Sequence, residues 1–296
     1  MTADRNQPLV NELPHVSTRP DGRRPSKRLA ATLASSALVF GLLAAWGSAS
    51  AWAWGKLGHR VAGRIAEARL TPNAKKAVRD LLDPGQTLAD VSTWADEVRR
   101  DRPESATWHY VNVPIAESKY HPRHEDPKGG VVSKILDFQK IVADTTAPRL
   151  QRQEALKYLV HFLQDMHQPV HVGHRADRGG NDLQVQFFDE GSNLHRVWDS
   201  GLIEHTKPTE ADLTKNLEAR ITPELADQWS QGSVEDWANE SLLAAKGAYL
   251  IPETRKEIPK GAKLGQPYYE ANLPVAELRV EQAGVRLATI LNAIFP

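Results

Sequence analysis

The sequence contains no cysteine among its 296 residues. Disulfide bonds and thiolate metal ligands are therefore excluded, and any metal ion must be held by imidazole, carboxylate or backbone groups. The sequence also lacks an excess of charge of one sign, because 37 basic residues balance 37 acidic ones. No global positive field therefore indicates a polyanionic partner. Internal repeats and heptad arrays are absent too. The length alone allows one large domain or two small ones.

The amino-terminal residues 1–53 differ in composition from the rest of the chain. Residues 1–28 are polar and end in a basic cluster, and an uncharged apolar run continues to about Trp46. Small residues then lead to Ala51-Trp52-Ala53. This order predicts a signal peptide over residues 1–53 and a secreted or periplasmic domain over residues 54–296. An uncleaved membrane anchor is the alternative, because the apolar run approaches spanning length.

The stretch over residues 158–172 concentrates side chains that are typical of metal ligands. His161 and Asp165 are four residues apart, which places both on one face of a helix. Apolar residues recur around them with helical period, Pro169 ends the helix, and His171 follows. The alternative is a buried helix with hydrogen-bonded histidines. Histidine and aspartate recur elsewhere in the chain at matching spacing, however, and this favours the interpretation of these side chains as metal ligands.

The remaining pattern predicts an all-α fold, with one compact multi-helix domain and a short β-hairpin near residues 182–189. Thr71 and Pro72 have the residue types of an N-cap and a first helical position. Residues 106–114 are aromatic and predicted to be extended, and alternation over residues 183–188 predicts the hairpin arm. The expected helices cover residues 58–70, 72–82, 88–100, 131–143, 148–168, 233–250 and 268–295.

Nine positions on separate segments are candidate metal ligands. They are the amino terminus at Trp54, His59, Asp96, His109, His161, Asp165, His171, His195 and Asp199. Five imidazoles and three carboxylates exceed the four ligands of one zinc ion and suit two or three. The residue types favour zinc over iron or manganese, and paired zinc ions are suited to attack on phosphate esters. His121 and His124, in a polar loop, are expected to be surface residues and not ligands.

Six motifs, in this order and spacing, resemble the zinc-dependent single-strand nucleases and 3′-nucleotidases of the S1/P1 family. They are Trp54-x-x-x-x-His59, WADEVR (94–99), WHYVN (108–112), HFLQDMHQPVHVG (161–173), GGND (179–182) and NLHRVWD (193–199). The resemblance implies the mainly helical fold that this family shares with bacterial phospholipase C. Many eukaryotic relatives carry disulfides, so the absence of cysteine points to a bacterial member.

The resemblance also implies three zinc ions and the residues that hold them. The first zinc would be held by Asp96, His109, His161 and Asp165. The second would be held by the amino group and carbonyl of Trp54, by His59 and by Asp165, which therefore bridges the two. The third would be held by His171, His195 and Asp199. A water or hydroxide between the close pair would attack phosphorus and give 5′-phosphate products.

Further roles follow from the same resemblance. Arg99 matches a cation that acts on transition-state charge, beside Asp96 and Asp165 as catalytic residues. Tyr110 matches an aromatic that stacks on a base, and Asn112 stands where the family often has an acidic residue. Asn181 matches a polar residue near the phosphate, with a simple turn residue as the alternative. Single-stranded nucleic acid and 3′-nucleotides are the expected substrates, and a monomer without a stable protein partner is expected.

Two other functions remain open at this stage. A secreted phospholipase C would share the fold and the zinc cluster, but the position of His59 and the final His195-x-x-x-Asp199 motif favour a nuclease. A non-enzymatic zinc-binding protein of the periplasm would not need Arg99 and Tyr110 beside the cluster. We therefore expect a nuclease.

Overall fold

Helices form most of the described part of the chain, residues 54–296 of the computed structural model. The predicted signal peptide over residues 1–53 lies outside the described residues. In chain order the α-helices are α1 (Lys56–Ala68), α2 (Pro72–Leu81), α3 (Leu88–Val91), α4 (Trp94–Val98), α5 (Val131–Ala143), α6 (Arg149–His167), α7 (Leu194–Arg196), α8 (Leu202–Glu204), α9 (Glu210–Glu218), α10 (Pro223–Ser230), α11 (Val234–Ala248) and α12 (Gln266–Ile294). The predicted mainly helical domain is confirmed.

Shorter helical turns of other types connect these helices. Three are 3-10 turns at Pro103–Thr107, Pro122–His124 and Pro169–His171, and one is a π-helical turn at Val197–Gly201. None of the helices in residues 54–296 is long and apolar enough to cross a membrane. The short turns matter because two of them carry candidate ligands.

Short strands form two small sheets. Strand β1 (Val113–Pro114) pairs in parallel with β2 (Gly173–His174). Strand β3 (Gln184–Phe187) forms an antiparallel hairpin with β4 (Glu190–Asn193) and pairs in parallel with β5 (Lys263–Leu264). The predicted hairpin is therefore confirmed, although its second arm extends beyond residue 189. The first sheet ties the segment after His109 to the segment after His171.

Helix α6 lies at the centre of the described fold. Every residue from Ala155 to His167 is buried, and the helix packs against α4, α5, α11 and α12. A helix that is buried on all sides usually has apolar residues all round. The histidines and the aspartate of α6 therefore need internal partners, since water does not reach them.

The predicted single helix over residues 88–100 is wrong. The structure has two short helices, α3 and α4, separated at Ser92 and Thr93. The Ser92 hydroxyl donates to the Ala89 carbonyl at 2.8 Å, and such local side-chain bonds compete with the helical ladder. The break leaves the Ser92 carbonyl to accept a hydrogen bond from His161 Nδ1 at 2.7 Å.

Two other local predictions have different outcomes. Helix α2 begins as predicted, because Thr71 Oγ1 accepts from the Ala74 N–H at 3.2 Å and Pro72 follows. The extended segment predicted over residues 106–114 is wrong for residues 106–109, which belong to a 3-10 turn and the turn after it, whereas Val113–Pro114 is a strand. His109 instead lies in a turn, which directs its ring toward α6.

Candidate metal centre

Buried histidine and aspartate side chains form three groups whose ligand atoms lie within 4.8 Å of one another. These are the groups of this kind found among residues 54–296. The first is Asp96 with His109 and His161, close to which Asp165 also lies, the second is His59 with His161 and Asp165, and the third is His171 with His195 and Asp199. All eight side chains predicted as ligands therefore fall into these groups.

The first group joins α4, the turn at His109 and α6. Asp165 Oδ2 lies 2.9 Å from His109 Nδ1 and 3.2 Å from His161 Nε2. Asp96 Oδ1 lies 3.6 Å from His109 Nδ1. The i,i+4 spacing on α6 brings His161 and Asp165 together, α4 supplies Asp96, and the turn that follows Pro103–Thr107 supplies His109.

The second group uses the other oxygen of Asp165. His59 Nε2 lies 3.4 Å from Asp165 Oδ1, and the ring of His59 stacks on that of His161 at a centroid distance of 4.3 Å. The two oxygens of one carboxylate thus face two different groups of histidines. This is the geometry that a bridging carboxylate requires.

Trp54 is anchored beside the second group. Its side chain is fully buried, and its indole N–H donates to the Gln164 carbonyl at 3.1 Å. The next N–H, that of Gly55, donates to the Asp199 carbonyl at 2.5 Å. A side chain at Gly55 would collide with Glu204 and Ser200, so glycine permits this close approach.

The third group lies between the turn after α6 and the π-helical turn. His195 Nε2 is 3.5 Å and His171 Nε2 is 3.9 Å from the carboxylate of Asp199. His195 Nδ1 donates to the Gly179 carbonyl at 2.8 Å. Gly179 has φ of +62°, and a Cβ there would lie 2.3 Å from the Val170 carbonyl oxygen. Only glycine therefore fits at position 179, where its carbonyl orients the His195 ring.

Hydrogen bonds fix the orientation of most of these rings. The Nδ1 atoms of His161, His171 and His195 face the carbonyls of Ser92, His109 and Gly179 at 2.7–2.8 Å. A carbonyl only accepts, so each Nδ1 carries a proton, and in the neutral ring the Nε2 lone pair faces the group. This is the tautomer that metal-binding histidines use.

Burial controls the protonation of the third group. Burial lowers the pKa of His171 to about 3 and that of His195 to about 4. Both rings are therefore neutral near pH 7 and have lone pairs available. Burial also raises the pKa of Asp199 well above its ordinary value. A cation held by the two histidines would stabilise the ionised form of Asp199.

The first two groups have an excess of negative charge. Burial opposes the charged form of His161, but the carboxylates of Asp165 and Asp96 outweigh it and raise the pKa of His161 to about 9. Burial also opposes ionisation of Asp165, yet the neighbouring histidines hold its pKa well below the usual range. These groups therefore attract positive charge.

Unpartnered buried atoms test whether the groups fit a metal. The structure leaves five ligand atoms buried without a hydrogen-bond partner among the described residues: His59 Nε2, Asp96 Oδ2, His109 Nε2, Asp165 Oδ1 and His171 Nε2. An unsatisfied buried polar atom costs about 1–3 kcal/mol, so this concentration needs an explanation. Metal ligation supplies one, and a set of nitrogen and carboxylate donors without thiolates fits zinc.

The predicted substrate residues have different environments. Arg99 donates to the Ala106 carbonyl at 3.0 Å, and its charge contributes to the lowered pKa of His195. Tyr110 is half-buried, and Asn112 is exposed. The Asn181 amide donates to the Arg178 carbonyl at 2.9 Å, which is the contact of a turn residue. A role for Asn181 at the phosphate stays a prediction.

Three further histidines have other environments. His121 and His124 belong to none of the three groups, as predicted. The prediction that both are surface residues is wrong for His124, whose side chain is only 7% exposed. It is covered because its Nδ1 accepts from the His121 N–H at 3.0 Å and folds the ring inward. His167 is buried and contacts Arg286 at 3.0 Å, which indicates a structural role.

Sequence reasoning missed two glutamines that contact candidate ligands. Gln164 lies 2.6 Å from His59 Nδ1, and Gln168 donates to Asp199 at 2.6 Å. Gln164 is on the face of α6 that carries His161 and Asp165, because steps of three and four residues share a helix face, and Gln168 continues that spacing one residue past the end of α6. That periodicity was the signal in the sequence that could have found them.

Comparison with known proteins gives consistent matches. The family profile described as S1/P1 Nuclease matches residues 54–296. Endonuclease 2 of Arabidopsis thaliana is 35% identical over 267 residues, which cover 82% of this chain and 90% of that protein. Nuclease S1 of Aspergillus oryzae is 28% identical over 288 residues, which cover 90% and 96%. Nuclease P1 of Penicillium citrinum is 27% identical over 266 residues, which cover 81% and 97%. The matched region contains every candidate ligand.

Proposed function

The chain belongs to the S1/P1 nuclease family, and on that premise we propose that it is a secreted, zinc-dependent nuclease. It cleaves single-stranded DNA and RNA to 5′-phosphate products and removes phosphate from 3′-nucleotides. The observation that carries this proposal is the buried convergence of the eight histidine and aspartate side chains on three groups. The names of the relatives, which are nucleases and endonucleases, support the same reaction class.

Each group of side chains would hold one zinc ion. The first zinc ion would be held by Asp96, His109, His161 and Asp165. The second would be held by the Trp54 terminus, His59 and Asp165, and the third by His171, His195 and Asp199. When bound, zinc supplies Lewis acidity, which lowers the pKa of water and offsets the charge of a phosphate ester. The buried hydrogen bonds of the histidine rings hold the donors in place, so little reorganisation is needed on binding.

Three residues would handle the substrate itself. Arg99 places a guanidinium near the third group, where it stabilises the negative charge that grows on a phosphoryl group in the transition state. Tyr110 offers a half-buried ring on which a base can stack without regard to sequence. Asn112 is exposed beside it and has both a donor and an acceptor for a base edge. Binding through one base face and one phosphate group requires an accessible base, which favours single-stranded nucleic acid over a duplex.

Removal of residues 1–53 would complete the second zinc site. In the precursor the nitrogen of Trp54 is a peptide amide, whose lone pair is delocalised into the carbonyl. Cleavage after Ala53 turns it into an α-amino group with a pKa of about 7.7–8.0, which is a usable ligand near neutral pH. The anchored indole of Trp54 supports this proposal, since it fixes the residue beside α6.

Processing at Trp54 is tested by adding Gly-Ser ahead of it in a mature chain. The extended protein is expected to bind about one zinc ion fewer and to lose most of its activity. A mature chain that begins at Trp54 is the matched control. Equal zinc content and equal activity in the two proteins would show that the terminus is not a ligand.

The function is tested by turnover of a panel of substrates by the secreted protein. Single-stranded DNA, RNA and 3′-AMP are expected to be hydrolysed, with double-stranded DNA cleaved much more slowly. Removal of zinc with a chelator should abolish each activity, and added zinc should restore it. Hydrolysis of phosphatidylcholine in place of nucleic acid would identify a phospholipase C. Full nuclease activity after exhaustive chelation would exclude the zinc mechanism.

A further inference from the structure

Two fully buried glutamines lie four residues apart at the end of α6, Gln164 within its last turn and Gln168 as the residue that follows the helix. Each contacts a ligand that comes from a distant segment, His59 in α1 and Asp199 in the π-helical turn. The two ligands belong to different metal groups. The contacts also differ in kind, because one glutamine uses its oxygen and the other its nitrogen.

Gln164 acts through its acceptor. Its Oε1 lies 2.6 Å from His59 Nδ1, so that the Nδ1 proton is held and the lone pair of His59 Nε2 faces Asp165, 3.4 Å away. The Gln164 carbonyl also accepts from the Trp54 indole at 3.1 Å. Its amide nitrogen, by contrast, is buried without a hydrogen-bond partner within residues 54–296. Only the oxygen of this side chain is therefore used.

Gln168 acts through its donor as well as its acceptor. Its Nε2 donates to Asp199 Oδ1 at 2.6 Å, and its Oε1 accepts from the Val170 N–H at 2.7 Å. The second bond fixes the amide to the 3-10 turn that carries His171. One side chain therefore aligns the turn of His171 with the carboxylate of Asp199.

We infer that Gln164 and Gln168 are positioning residues for two different zinc sites, Gln164 as an acceptor for His59 and Gln168 as a donor to Asp199. The inference rests on the proposed function, because it requires zinc at these groups. Partners that orient a metal ligand change metal affinity by about 10- to 100-fold when they are removed. Gln164→Leu should thus weaken the second site alone, and Gln168→Leu the third site alone.

Glutamate substitutions separate the acceptor from the donor. Gln164→Glu keeps an oxygen for His59 Nδ1, and it loses no bond because the amide nitrogen has no partner. Gln168→Glu removes the donor and sets a carboxylate against Asp199. The second site should therefore keep its affinity in Gln164→Glu, while the third site should be weakened in Gln168→Glu.

The test makes these four variants in the full-length gene, so that export and processing are unchanged. Zinc occupancy of each site is measured by anomalous X-ray diffraction, and zinc affinity by competition with a chelating dye. Gln153→Leu is the matched control, since Gln153 is a buried glutamine of α6 that donates to Leu81 and Asp83 and contacts no ligand. It should lower the melting temperature and leave zinc occupancy unchanged.

The expected result is a separate effect on each site, with about a 10- to 100-fold loss of affinity in the leucine variants and retention only in Gln164→Glu. The inference would be overturned if both leucine variants bound zinc as tightly as the wild type, or if both weakened the same sites equally. It would also be overturned if the third site of Gln168→Glu kept wild-type zinc affinity. The isosteric glutamate variants decide the question if a leucine variant fails to fold. A wild-type protein that binds no zinc would overturn the proposed function together with this inference.

Discussion

Arg99 is a cation whose charge acts on the third group. Its guanidinium is held by the Ala106 carbonyl at 3.0 Å and lowers the pKa of the His195 ring, after burial itself. We expect Arg99→Ala to lower kcat by about 10²- to 10³-fold, with a smaller effect on KM, because the interaction is strongest in the transition state. Steady-state kinetics on single-stranded DNA measure this.

Arg100→Ala is the matched control for Arg99, because the side chain of Arg100 is 95% exposed. Its kcat should equal that of the wild type. A change confined to KM in Arg99→Ala would assign that residue to substrate binding and not to the reaction.

Tyr110 tests the base-stacking role. We expect Tyr110→Ala to weaken nucleotide binding by about 1–3 kcal/mol, since that is the usual contribution of one stacked base. Tyr110→Phe should bind as the wild type does, because the ring is kept. The dissociation constant of a 5′-nucleotide product, measured by calorimetry, distinguishes the variants. Unchanged affinity in Tyr110→Ala would mean that this half-buried ring only packs against its neighbours.

The ligand side chains could be predicted from the sequence better than their grouping. Histidine and aspartate at i,i+4 identified His161 with Asp165, and the structure joins them at 3.2 Å. The pairing of His59 with the opposite oxygen of Asp165 was only implied by the resemblance. It depends on how α1 packs against α6, and no local pattern encodes the distance between remote segments.

At the scale of elements, the break between α3 and α4 shows where periodicity fails. The apolar spacing over residues 88–100 is helical throughout, and the sequence therefore predicts one helix. At the break, a local bond from the Ser92 hydroxyl to the Ala89 carbonyl is combined with a tertiary one from His161 Nδ1 to the Ser92 carbonyl, and apolar spacing indicates neither. By contrast, the start of α2 was predictable because Thr71 and Pro72 act locally.

The contact between α1 and α3 depends on Gly63. A Cβ at this position would lie 2.8 Å from the Ala89 Cα and 2.9 Å from the Ala89 nitrogen, and backbone atoms cannot move aside easily. We expect Gly63→Ala to destabilise the fold by about 1–3 kcal/mol, as overpacking does. Thermal or denaturant unfolding of the zinc-loaded protein gives the value.

Gly247→Ala is the matched control for Gly63, since Gly247 is in α11 and a Cβ there meets nothing within 4 Å. Both substitutions raise helix propensity by up to about 1 kcal/mol. Gly247→Ala should therefore be neutral or stabilising. If Gly63→Ala behaved in the same way, the close contact between α1 and α3 would not be essential.

At the scale of the whole molecule, the candidate metal centre connects segments that are far apart in the sequence. Helices α1, α4 and α6, the turn at His109 and the π-helical turn each supply at least one ligand side chain. Bound zinc would therefore crosslink much of the described fold. Metal that binds only the folded state adds its binding free energy to the stability of that state.

Chelation is consequently expected to lower the melting temperature. A zinc ion present at 100 times its dissociation constant adds about 2.7 kcal/mol, and a domain of this size shifts by about 2–4 °C for each kcal/mol. Each ion that is lost should therefore lower the melting temperature by about 5–11 °C. Calorimetry before chelation, after it and after zinc is restored measures the shift. An unchanged melting temperature would mean that no metal stabilises the fold.

The most direct test of the central claim is the number of zinc ions bound per processed chain. Elemental analysis of the purified protein at neutral pH, with the amino terminus checked by mass spectrometry, gives that number. The three buried groups predict three zinc ions per chain, with Trp54 as the first residue. A protein that begins at Trp54, hydrolyses single-stranded DNA and contains one zinc ion or none would contradict the account.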